Sequence, residues 1–133
     1  MREVILDTET TGLDPKTGHR LVEIGAVELI NHTPTGVNYQ TYINPERDVD
    51  AGAKEIHGLT NEFLKQHPTF ADISVKFMNF LSDSTLVIHN APFDLGFINM
   101  ELIRIEMKPI CSKRVIDTLV SVSYTHLTLP TKA

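Results

Sequence analysis

The spacing of apolar residues changes character near residue 50, and that change constrains the fold more than any other feature of the chain. Before it, segments at about 3–8, 20–30 and 37–44 are rich in Val, Ile, Tyr or Thr and bounded by turn residues. Such segments are predicted strands. Residues 12–18, with Pro15, form the first connection, and residues 31–36, with Pro34, form a hairpin-like second one. Short connections between successive strands predict an antiparallel start to a sheet.

After residue 50 helical spacing takes over. Residues 51–56 and 61–66 read as two short helices around His57 and Gly58. Phe70, Ile73, Phe77, Phe80 and Leu81 recur at three- and four-residue intervals, which predicts an amphipathic helix capped by Thr69. A fourth strand at 84–89 leads into a helix at about 92–106 that buries Phe97, Ile98, Leu102 and Ile105. Residues 114–118 complete the pattern as a fifth strand. Strands in series, then helices alternating with strands, predict an α/β fold with a mixed sheet and flanking helices. Met78, Met100 and Met107 fall on helical spacings and read as core filler.

With 133 residues the chain is sized for one modest core. No apolar stretch approaches the ~20 residues that span a bilayer, so no membrane partner is expected. Cys111 is the single cysteine, and with no signal peptide before Asp7 a reducing cytoplasm is the expected setting. The net charge of −5 argues against nucleic acid at first sight. Clustered acids that bind cations weaken that objection, because the bound ions reverse the local charge.

The cluster in question begins with Asp7 and Glu9, at the end of the apolar run Val4-Ile5-Leu6. A strand has a side-chain period of two, so both carboxylates project from one face, with Thr8 on the other. Acids held this close repel unless a proton or a cation intervenes. Carboxylate oxygens are the ligands that Mg²⁺ prefers. Taken alone, an acidic pair of this kind is more often a solvated strand end. Here Asp94 follows another apolar run, Leu86-Val87-Ile88, and Pro92 suits the first turn of a helix. Asp94 is therefore expected near a strand end as a third carboxylate, with Asn90 capping its helix. Gly12 is expected to supply a turn at positive φ.

Three segments together resemble the DnaQ-like branch of the DEDD 3′–5′ exonucleases, especially its proofreading members. They are Asp7-Thr-Glu-Thr-Thr-Gly-Leu13 with Val22-Glu-Ile-Gly-Ala-Val27, then Glu55-Ile-His-Gly-Leu-Thr60, then Val87-Ile-His-Asn-Ala-Pro-Phe-Asp94. The resemblance extends to about Leu119 and implies a ribonuclease-H-like fold, incomplete at its C-terminus. It implies two Mg²⁺ ions, with Mn²⁺ as an alternative, held by the catalytic residues Asp7, Glu9 and Asp94. Asp7 would bridge both ions, Glu9 would hold the one on the nucleophile side, and Asp94 would bind the other. Asp7, Glu9 and His57 would meet the substrate, a DNA 3′ end that is single-stranded or mismatched, with Ile56 or Leu59 against the base. The family's Glu five positions before that histidine is Gly52 here, so its contact does not carry over. Implied partners are the catalytic subunit of a replicative polymerase and its sliding clamp. An RNA-trimming relative and a non-catalytic adaptor are the alternatives.

The family's closing H-x-A-x-x-D motif, which supplies a general-base histidine and a fourth acid, has no counterpart. After residue 117 there is no Asp or Glu, and His126 has no acid downstream. Impaired or absent activity is therefore expected of this sequence as written. Residues 121–133 carry no helical period and are expected to be a non-native tail. Residues 1–120 are then the N-terminal part of an exonuclease domain. Asp117 is expected to be structural, His89 to orient a loop, and His19, His32 and His67 to be solvated.

Overall fold

The computed structural model describes residues 1–120, so the expected tail at 121–133, with His126, lies outside the described residues. Five strands form one sheet: β1 (Arg2–Thr10), β2 (Leu21–Ile30), β3 (Thr33–Tyr42), β4 (Thr85–Ile88) and β5 (Val115–Asp117). Four α-helices accompany them: α1 (Ala51–His57), α2 (Asn61–Leu64), α3 (Phe70–Leu81) and α4 (Ala91–Arg104). The spatial order is β3-β2-β1-β4-β5. The first three strands pair antiparallel, while β4 runs parallel to both β1 and β5. Parallel neighbours need a crossover, and α4 supplies it between β4 and β5. This is the mixed sheet with flanking helices that the periodicities predict.

One face of the sheet carries the main core. Val4 and Leu6 of β1, Ile24 and Ala26 of β2, and Leu86 and Ile88 of β4 pack with Phe70, Phe77 and Leu81 of α3 and Phe97, Ile98 and Leu102 of α4. Met78 of α3 pads its edge, as the helical spacing predicts; Met107 does so from beyond the end of α4, and half-buried Met100 is outside this cluster. The alternate residues Ile5, Leu29 and Val87 form a smaller cluster. Period two therefore assigns Asp7 and Glu9 to the face of Ile5, away from the main core. Helix α3 starts where Thr69 predicts: its side chain accepts from Asp72 N, and Asp72 accepts from Thr69 N in return.

The β2–β3 connection is tighter than expected. Asn31 and His32, at φ 49° and 67°, make the whole turn, and β3 already begins at Thr33. Two residues at positive φ match the right-handed twist of a hairpin. Pro34 and Gly36 therefore lie inside a strand. β3 is at the edge of the sheet, where a residue lacking an N–H is tolerated. Gly36, at φ 88°, sits where the pairing with β2 slips between Val27 and Leu29, a bulge that only glycine enters easily.

An ion pair with a buried carboxylate ties the sheet to α4. Arg20 Nε and Nη2 donate to Glu101 Oε2 and Oε1 at 2.8 and 2.7 Å, and Leu21 N adds a third donor at 3.2 Å. Donating to Glu101 holds the Arg20 guanidinium above its ordinary pKa, against the opposing effect of burial.

Candidate active site

The last turns of the pleat in β1 place each acid. Asp7 is buried and its Oδ1 accepts from Thr8 N at 3.0 Å. Gly25 stands directly opposite Asp7 on β2, and a Cβ there would meet nothing within 4 Å. The space beside the Asp7 carboxylate is consequently left open. Glu9, half-buried, stands opposite Glu23, whose Oε2 accepts from Gln40 Nε2 at 2.9 Å. Asp7, Glu9, Glu23 and Gln40 share a cleft of about 220 Å³.

Thr8 connects the third acid. Its Oγ1 donates to Asp94 Oδ2 at 2.7 Å, and both side chains are buried. Asp94 occupies the first turn of α4, where a negative charge meets the positive end of the helix. The structure thus brings Asp94 to the strand end that carries Asp7 and Glu9, joined to it through Thr8. Among the described residues, no group of three His, Cys, Asp or Glu is placed so that it could hold a metal ion. Thr8→Val removes a donor from a buried carboxylate and is expected to cost about 1–3 kcal/mol in urea denaturation, with Thr8→Ser recovering most of it.

Asn90 takes the N-cap position of α4 but does not cap it by side chain. Its backbone is left-handed at φ 60°, and no side-chain cap bond forms. Its N–H instead donates to Asp117 Oδ1 at 3.0 Å, which also accepts from Leu119 N at 2.9 Å. Asp117 has the structural part expected of it. His89 Nδ1 lies 2.8 Å from Thr118 Oγ1, tying the end of β4 to the end of β5.

A larger cavity, about 650 Å³, opens on the other side of Glu9; Thr8, His19, Ile56, His57 and Phe93 are among its walls. His57 ends α1. Its Nδ1 accepts from Leu59 N at 3.0 Å, so in the neutral ring the proton is on Nε2, which donates to Thr10 O at 3.0 Å. Both ring nitrogens are therefore occupied by backbone while the ring lines the cavity. Gly58, at φ 73°, closes the helix through a bond from its N–H to Lys54 O.

Gly12 and His19 differ from expectation, for one shared reason. Positive φ occurs at Gly18, Gly36 and Gly58, not at Gly12. A Cβ on Gly12 would overlap the imidazole of His19, so this glycine is needed for close approach. His19 accordingly is not solvated: only 14% of its side chain is exposed, with Nδ1 2.8 Å from Thr11 Oγ1 and Nε2 3.3 Å from Asp50 Oδ2. His67 also packs, with its ring centroid 4.6 Å from Phe63 and 5.3 Å from Tyr42. Of the three histidines expected to be solvated, only His32 is mainly exposed, and it lies 3.0 Å from buried Glu3.

Residues 4–131 match the profile of a family described as Exonuclease (RNase_T). The chain belongs to this exonuclease family. Among the proteins to which this family member is similar, DNA polymerase III subunit epsilon of Rickettsia felis is 56% identical over 123 residues, covering 90% of this chain and 54% of that protein. The subunit of the same name from Escherichia coli is 46% identical over 104 residues, covering 75% and 43%. The chain spans about half the length of the curated relatives it matches. Its fold resembles that of a metal-free E. coli exonuclease I–single-stranded DNA complex, with a TM-score of 0.81 at 17% identity, covering 94% of this chain and 30% of that one. Exonuclease X in complex with 5′ overhanging duplex DNA gives a TM-score of 0.59 at 28% identity, covering 71% and 52%. The exonuclease-family sheet is thus the ribonuclease-H-like one that the motifs imply. No helix among the described residues is long and apolar enough to cross a membrane.

Proposed function

We propose that this chain is the exonuclease-family segment of a cytoplasmic 3′–5′ DNA exonuclease that proofreads for a replicative polymerase. The observation that carries the reading is the Thr8–Asp94 bond, which brings α4 to the strand end that bears Asp7 and Glu9, beside a cavity large enough for a nucleotide. The names of the relatives favour DNA over RNA and a polymerase partner over an independent enzyme. A sliding clamp is the further partner proposed for the whole protein.

The donor chemistry suits divalent cations, while the described acids are not placed as a ready three-ligand group. All three side chains offer hard carboxylate oxygens, and Gly25 leaves room beside Asp7. Asp7, Glu9 and Asp94 would hold Mg²⁺, or Mn²⁺ in its place. Two such ions, when bound, activate the attacking water and stabilise the leaving 3′-oxygen. The remaining work falls to the cavity. Leu13 and Ile56, 83% and 63% exposed, offer apolar surface to a terminal base, and His57 stands beside them. Each cycle would release a deoxynucleoside 5′-monophosphate.

A 5′-labelled primer with a mismatched 3′ end, incubated with Mg²⁺, tests the reading. Shortening by single nucleotides is expected, reduced to the buffer rate by Asp7→Ala. Internal cuts, or equal rates for both proteins, would overturn it.

A further inference from the structure

We propose that His19 is a positioning residue for the cavity beside Glu9, setting the distance between the turn after β1 and helix α1. The inference rests on the exonuclease reading, since it assigns a specificity role within that site. It begins with the weakness of α1. This helix has seven residues and buries none of them. A helix that short is not stable by itself and has no apolar face to anchor it. Yet Gly52, Ala53, Ile56 and His57 form one side of the cavity, while Thr10, Gly12 and Leu13 form the other.

Polar links between these two sides hold α1 in place. Asp50 N donates to Thr11 O at 3.0 Å at the start of the helix, and His57 Nε2 donates to Thr10 O at 3.0 Å at its end. His19 adds the side-chain link at the first of these points. Its Nδ1 contacts Thr11 Oγ1, which also accepts from Arg20 N at 3.0 Å, and its Nε2 faces Asp50 Oδ2. Arg47 approaches the same carboxylate from outside at 3.6 Å while donating to Gly18 O at 3.0 Å. The imidazole is held at both nitrogens and lies against Gly12, where no Cβ intervenes. Ring and glycine together fix how closely the turn approaches the helix. A change at His19 should therefore alter nucleotide fit without touching Asp7, Glu9 or Asp94.

The test uses the 133-residue chain, with thymidine 5′-monophosphate as the probe in the presence of Mn²⁺, and Mn²⁺ alone as the reference ligand. His19→Ala is expected to weaken nucleotide binding about tenfold, the equivalent of about 1.4 kcal/mol, and to leave Mn²⁺ affinity unchanged. Asp50→Ala, which removes an exposed partner from the same link, is expected to act in the same direction. Gly12→Ala should reproduce the loss in the wild-type background and add nothing to His19→Ala, because the ring it displaces is gone. Phe77→Leu, which loosens the core away from the cavity, is expected to lower Tm without changing the nucleotide Kd. If the wild type binds the nucleotide and both His19→Ala and Asp50→Ala bind it equally well, the positioning role is wrong and the exonuclease reading survives. Parallel loss of Mn²⁺ and nucleotide binding, tracking Tm, would also overturn the role. If the wild type binds no nucleotide, the exonuclease reading fails and takes the inference with it.

Discussion

Asp7→Ala is expected to weaken Mn²⁺ binding by about 100-fold or more, measured by calorimetry or by paramagnetic broadening of the protein's resonances. Removing even an indirect partner of a metal ligand typically costs ~10–100-fold in affinity, and Asp7 is proposed to contact the ions directly. The position gives the substitution little compensation. Gly25 across the ladder has no side chain to move in, and of the Asp7–Glu9 pair Glu9 alone remains. A thermodynamic readout should agree. A ligand that binds only the folded state at 100 times its Kd stabilises it by about 2.7 kcal/mol. Mn²⁺ should therefore raise the Tm of the wild type and leave that of Asp7→Ala nearly unmoved. Glu9, half-buried at the mouth of both cavities, should show a smaller effect when changed to Gln. Undiminished Mn²⁺ affinity in Asp7→Ala would remove this residue from the proposed site.

The largest loss of stability is expected from Arg20→Ala, about 3–5 kcal/mol. Glu101 is 2% exposed and receives two guanidinium bonds together with Leu21 N. Taking Arg20 away leaves a buried carboxylate with Arg104 as its remaining charged neighbour, 3.9 Å away. For a domain of this size the change corresponds to a Tm drop on the order of 10–20 °C. The paired replacement Arg20→Met with Glu101→Leu should recover most of it, because the cost lies in the stranded charge rather than in the missing attraction. Denaturant melts of the three variants separate these contributions. A single variant as stable as the wild type would mean that water reaches Glu101.

Features with a local cause were legible in the sequence. Thr69 and Asp72 lie three residues apart ahead of an apolar helical stripe, and they form the reciprocal cap that this spacing predicts. The placement of Asp7 and Glu9 on one face follows from strand period alone. Pro34 and Gly36 misled because they mark turns in most contexts, whereas here an edge position and a bulge absorb them inside β3. The Thr8–Asp94 bond joins residues 86 apart in sequence. It depends on β1 and β4 becoming parallel neighbours, which no local pattern encodes. His19 was missed for a similar reason: its surroundings come from the β1–β2 turn and from Asp50 together. Gly12 held the available clue, since a glycine that does not need positive φ marks a place where something presses against the backbone.

The distortion in β3 has a consequence for how the molecule behaves in concentrated solution. A long outer strand with regular spacing would offer a row of amides and carbonyls on which a second chain could zip up. Pro34 removes one amide from that row, and the kink at Gly36 breaks its rhythm. The β3 border is thus a poor seed for intermolecular growth, and straightening it with Gly36→Val and Pro34→Thr would remove that protection.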